Sequence, residues 1–119
     1  MKSRHALVIL CLALLPIPAF AHAHLAAATP ADGSVLTVAP TLFLLKFSEE
    51  AHLTALSLRR EGESKAQKIA PLPTAASKSF SIAAPKLSAG TFTLSYRVVA
   101  ADDNHLSSGT ITFRFSPAP

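Results

Sequence analysis

The chain predicts an all-β domain, an antiparallel sandwich or closed barrel of immunoglobulin-like kind with about seven short strands. Three observations carry this expectation. Apolar residues recur with period two, and no helical period lasts beyond a turn or two. Clusters of Pro, Gly, Asp and Ser interrupt the alternation at regular spacing. Setting aside an N-terminal leader, roughly a hundred residues remain, room for one small domain and no more.

Taken in order, His24–Ala28 reads as a weak first strand. Thr29-Pro30-Ala31-Asp32-Gly33-Ser34 is a turn in which proline sets φ and Asp-Gly supplies a positive-φ position. Ala39-Pro40 precedes a second strand, Thr41–Phe47, with Phe43, Leu45 and Phe47 on one face, although Leu42 and Leu44 make the other face apolar too. Thr54–Leu58 sets Leu56 and Leu58 against Ser57 as a separate strand, followed by the charged loop Glu61–Lys65 and the proline-bearing loop Pro71–Ser77. Ser79–Ile82 turns Phe80 and Ile82 inward. Ala84–Gly90 ends in the glycine that begins the clearest strand, Thr91–Val99, where Phe92, Leu94, Tyr96 and Val98 oppose Thr93, Ser95 and Arg97. Thr110–Phe115 repeats the pattern with Ile111, Phe113 and Phe115, and Ser116–Pro119 is a tail. No internal repeat is present. Six phenylalanines lie beyond residue 21; with Tyr96 and the leucines they form the expected core, each buried Phe or Leu contributing roughly 1.5–3 kcal/mol by transfer.

Residues 1–21 have the form of an export signal: the basic start Met-Lys-Ser-Arg-His, the apolar run Ala6–Leu15, and Ala-x-Ala at Ala19–Ala21. Cleavage after Ala21 leaves a single domain, 22–119, of 98 residues beginning with His22. Ala21-His-Ala23 also fits the Ala-x-Ala rule, and cleavage there would make His24 the first residue. Neither the leader nor any later stretch offers the ~20 apolar residues of a membrane span, so an exported, unanchored product is expected, with the periplasm as its compartment. Cys11 and Met1, the single cysteine and methionine, leave with the leader, which excludes a disulfide scaffold and any thiolate or thioether site. Removing Lys2 and Arg4 lowers the basic count from 11 to 9 against 7 acidic residues, a net charge of +2. Those cations are scattered, with Arg59-Arg60 the one adjacent pair, so the stripe or cluster of a nucleic-acid footprint is missing.

The chemistry concentrates in a few residues. A mature N-terminal His22 offers an α-amine and Nδ1 that close one chelate ring on a metal ion, and Asp103-Asn104-His105 adds an oxygen and a nitrogen two residues apart. If that segment is extended, residues i and i+2 project to one face and converge on the same ion. Three nitrogens and one oxygen suit tetragonal Cu(II), which stands at the top of the divalent affinity order. Zinc also takes His and Asp, tetrahedrally, but the amine chelate and the affinity order favour copper. Asp102 competes with Asp103 for the oxygen position. His24, as third residue, creates an amino-terminal X-X-His chelator whose backbone amides a folded strand would occupy. His52 reads as a surface residue at a strand start.

His22-Ala-His-Leu, Thr29-Pro-Ala-Asp-Gly-Ser, Phe47-Ser-Glu, Gly90-Thr-Phe-Thr-Leu-Ser-Tyr-Arg-Val-Val and Asp103-Asn-His105 followed by Gly109-Thr-Ile-Thr-Phe occur in this order. Together they resemble the CopC family of periplasmic copper-binding proteins over essentially the whole mature chain. The resemblance implies a Greek-key β-sandwich or barrel and a Cu(II) site formed by His22, Asp103 and His105. Some members have the glutamate of the Phe-Ser-Glu segment near the copper, which implies a supporting position for Glu49; His24, from its place beside the terminus, is a further candidate for such a position. Family members with a second, Cu(I) site carry a methionine-rich loop; the mature chain has no methionine, so that site is not expected. An inner-membrane copper transporter of the CopD type is the partner the resemblance implies, and sequestration, homeostasis or transfer of copper the role. Two other classes compete. A copper-dependent oxidative enzyme also uses an N-terminal histidine chelate, but a carboxylate in the ligand set, the absence of Trp and a single Tyr argue against catalysis on a polysaccharide. A structural immunoglobulin-like module explains the strands but not the three ligands.

Overall fold

A computed structural model describes residues 23–119; the expected export signal and His22 lie outside the described residues. Seven strands and no helix make up this part of the chain: β1 (Leu25–Thr29), β2 (Ser34–Leu36), β3 (Leu42–Arg60), β4 (Gln67–Lys68), β5 (Ser77–Ala83), β6 (Gly90–Ala100) and β7 (Leu106–Phe115). The sheet path is β1-β3-β6-β7-β2, with β4 and β5 also paired to β3. The all-β, immunoglobulin-like architecture expected from the period-two pattern is therefore present.

β3 is the spine. Its first half carries β1 on one edge (Leu44 opposite Thr29) and β5 on the other (Leu44 opposite Ser81). At Ala51 the partners are Ser77 of β5 and Ala100 of β6, so β6 takes over the edge that β1 has left. A strand has only two hydrogen-bonding edges. Exchanging partners along nineteen residues therefore curls the sheet on itself and closes a core between the two halves.

The expected strands Thr41–Phe47 and Thr54–Leu58 are thus one continuous strand. Inward residues keep odd numbers through Phe43, Leu45, Phe47, Ala51 and Leu53, then switch to Leu56 and Leu58. The switch sits at a β-bulge between Leu53 and Ala55, where Thr54 and Ala55 are both exposed. Two further differences concern pairing. β2 runs parallel to β7, so the sheet is not wholly antiparallel. β4, two residues long, pairs Lys68 with Ser57 from the unassigned stretch between the two expected loops.

The six phenylalanines of the domain are all buried, together with leucine, isoleucine and valine from both halves and Ala23 from the start of the described chain. Phe92 stacks on Phe113 at 5.5 Å and 20° while Phe43 tilts against Phe113 at 6.1 Å. Phe47 meets Phe80 and Tyr96 edge-on at 6.0 and 5.5 Å. The Thr29–Ser34 turn behaves as its composition requires. Gly33 has φ 82°, and Asp32 Oδ1 accepts a 2.8 Å hydrogen bond from the Thr112 amide, tying the turn to β7. Leu42 and Leu44, the apolar residues on the outer face of β3, are 47% and 39% exposed.

Candidate metal centre

Two chain segments meet end to end along the edge of β3 that β1 and β6 share. β1 runs antiparallel to β3, so its N-terminal end lies beside Ser48: the Ser48 amide donates to the His24 carbonyl at 2.8 Å. β6 also runs antiparallel to β3, so its C-terminal end arrives immediately beyond, where the Ala101 amide donates to the Glu50 carbonyl at 2.9 Å. Glu49 is the residue between those two attachments, and it is half-buried. The fold therefore sets the start of β1 beside the β6–β7 connection, across a span of three residues.

That connection is a tight turn, not the extended segment expected for Asp103–His105. The Ala100 amide donates to the His105 carbonyl at 2.8 Å, and the Asn104 amide donates to the Ala100 carbonyl at 3.0 Å. Asn104 adopts φ 58°, the left-handed region that asparagine tolerates better than most residues. The side chain of Asp103 closes the turn: Oδ1 accepts a 3.0 Å hydrogen bond from the His105 amide. Strand alternation, which would have set Asp103 and His105 on one face, is not the device in use. An Asx turn brackets the two residues instead, and both side chains are exposed. Asp103 keeps Oδ2 and a further lone pair on Oδ1 for another partner.

His24 is exposed and attached to Ser48 through its side chain as well as its backbone. Ser48 Oγ lies 3.1 Å from the His24 amide nitrogen and 3.1 Å from His24 Nδ1. Ser48 carries no distinguishing signal within the Phe47-Ser-Glu stretch, and sequence reasoning passed over it. His52 is exposed as expected but sits inside β3 rather than at a strand start, its Nδ1 3.4 Å from the Thr74 carbonyl oxygen.

A shallow depression beside the turn is lined by Glu49, Glu50, Lys78, Ala101 and Asp102. With Asp103 next in the chain, four carboxylates and one lysine mark this end of the molecule, a field that attracts cations. Among the described residues no three His, Cys, Asp or Glu side chains are placed to hold a metal ion together. Asp103 and His105 share one turn, while Glu49 and His24 flank it without completing a set. His22, the remaining residue of the expected site, lies outside the described residues. Among those residues no helix is long and apolar enough to cross a membrane.

Residues 25–116 match the CopC domain, a span that includes Ser48, Glu49, Asp103 and His105. Among solved structures, the crystal structure of CopC from Methylosinus trichosporium OB3b is similar, with a TM-score of 0.68 and 20% identity over 82% of this chain and 97% of that one. At that identity the likeness speaks for the fold. No curated protein matches the sequence.

Proposed function

The chain belongs to the CopC family, whose members bind copper and are not enzymes, and from that premise we propose a periplasmic protein that binds Cu(II) at its mature N-terminus. Cleavage after Ala21 frees the His22 amine. That amine and His22 Nδ1, the Asp103 carboxylate and the His105 imidazole then form a tetragonal set of three nitrogens and one oxygen. The observation that carries this reading is the end-to-end meeting of β1 and β6 along one edge of β3. His22 is two residues from His24, and two residues of chain reach at most roughly 7 Å. The terminus is therefore tethered to the end of the molecule that carries the Asp103–His105 turn.

Other features agree. Ala23 is fully buried in the core cluster, so the folded unit begins no later than Ala23, which favours processing after Ala21 over processing after Ala23. The acidic surroundings, Glu49 among them, favour a cation electrostatically. Glu49 stands between the two attachments as a supporting group for the site. Copper is the cargo in this reading: the protein sequesters it, buffers it or passes it to an inner-membrane transporter of the CopD type.

The experiment is a copper titration of protein processed to begin at His22, alongside His105→Ala, with Zn(II) as competitor. One tight equivalent of Cu(II) that zinc does not displace, weakened more than ~10–100-fold in the variant, is expected; that range is the usual effect of losing only an outer partner of a ligand. Equal affinity in parent and variant would end the reading.

A further inference from the structure

We propose that Ser48 is a selectivity residue: its hydroxyl holds the amide and ring nitrogens of His24 away from an incoming metal ion. The N-terminus is thereby prevented from closing a square-planar four-nitrogen chelate. This deepens the reading above and rests on a mature chain that begins at His22.

A chain starting His22-Ala23-His24 encodes two incompatible ways to bind copper. One is the set with Asp103 and His105. The other is local: the α-amine, the deprotonated amide nitrogens of Ala23 and His24, and His24 Nδ1 form three fused rings in one plane. Square-planar nitrogen coordination suits Ni(II) as well as Cu(II). The local chelate would take the His22 amine for itself, leave Asp103 and His105 unused, and admit nickel.

Each donor of the local chelate other than the amine is engaged in the fold. The His24 amide points at Ser48 Oγ at 3.1 Å, and His24 Nδ1 lies 3.1 Å from the same oxygen. A hydroxyl has one proton to give and lone pairs to accept with. Ser48 Oγ accepts from the His24 N–H and is also in hydrogen-bond contact with Nδ1, the direction of that second contact following the ring's tautomer. One side chain occupies two of the four chelating atoms. The Ser48 amide anchors the same residue from the other side, donating to the His24 carbonyl at 2.8 Å. The third atom, the Ala23 nitrogen, belongs to a residue with 0% exposure packed in the core cluster. Forming the planar chelate therefore requires breaking both contacts to Ser48 Oγ and drawing Ala23 out of the core.

Nickel(II) is the cleanest probe, because its planar four-nitrogen complex is diamagnetic and has its own absorption. Protein processed to His22 is titrated with Ni(II) as the folded parent, the parent unfolded in urea, Ser48→Ala and Ser48→Thr. The unfolded parent should form the planar complex and the folded parent should not. Ser48→Ala should form it when folded, with an apparent affinity for Ni(II) raised on the order of 10–100-fold over the parent, the effect of releasing two hydrogen bonds. Ser48→Thr, which keeps the hydroxyl, should resemble the parent. A Ser48→Ala variant as resistant as the parent, or a folded parent that already forms the complex, overturns the proposal. A parallel Cu(II) titration separates the two claims. Copper bound through His105 with no nickel response in Ser48→Ala removes the Ser48 role alone. A nickel response as described, with no dependence of copper binding on His105, upholds the Ser48 role and removes the proposed copper site.

Discussion

Asp103 is placed to do two things, and a pair of substitutions separates them. Its Oδ1 accepts the His105 amide at 3.0 Å and so holds the turn, and its negative charge is the oxygen donor in the proposed site. Asp103→Asn keeps an oxygen in the accepting position and removes the charge; Asp103→Ala removes both. The turn is exposed, so the hydrogen bond contributes a net ~0.5–1.5 kcal/mol. For a domain of this size ~1 kcal/mol shifts Tm by roughly 4–8 °C. Asp103→Ala should therefore melt about 2–12 °C below the parent, while Asp103→Asn stays within the ~0.5 kcal/mol of an ordinary surface change. Copper affinity should divide the variants differently. Both lose the carboxylate, and both should weaken Cu(II) binding by more than the ~10–100-fold typical of an outer partner. Thermal melting by circular dichroism and competition titration with a chromophoric chelator give the two readouts. If Asp103→Asn binds copper as tightly as the parent, the carboxylate is only a turn closure and the assignment of the oxygen ligand is wrong.

Two further outcomes test the fold. Phe113 is 1% exposed, stacks on Phe92 and tilts against Phe43, so Phe113→Ala should lower unfolding stability by about 3–5 kcal/mol in chemical denaturation; a loss under about 1 kcal/mol would mean this aromatic group is not the centre of the core. Tyr96, the single tyrosine, has its phenol pushed above the ordinary value of 10.0 by burial. A folded pKa raised above the unfolded one gives stability that is fully present below pH 10.0 and is lost as pH rises through the folded value. An ultraviolet titration should therefore show phenolate forming at higher pH in the folded protein than in urea, and Tyr96→Phe should blunt the alkaline loss of stability; ionisation at the same pH in both states would contradict the burial.

The strands with strict alternation were legible because a half-buried strand must alternate: Phe92, Leu94 and Val98 of β6, Ile111, Phe113 and Phe115 of β7. The continuity of β3 was not legible, because the polar Ser48-Glu49-Glu50 stretch and the parity switch at Thr54-Ala55 both imitate strand ends. β2 and β4 are too short, at three and two residues, to carry a period. Asp103 and His105 stood out by residue type, but their geometry did not. Asp-Asn is turn chemistry, and Asn104 at φ 58° makes an Asx turn of what reads as extended chain. Ser48 was invisible for a different reason. A serine in a strand has no periodic signature, its place in Phe47-Ser-Glu does not say what it touches, and its contact with His24 exists only because β1 and β3 pair in this register.

The central claim is that copper is held by the amine of His22, and one comparison tests it most directly: electron paramagnetic resonance of one Cu(II) equivalent on protein beginning at His22 and on the same protein with a single residue added before His22. A nitrogen-rich tetragonal spectrum in the first and its loss in the second is the predicted result. The same spectrum in both would contradict the claim and assign the copper to internal histidines.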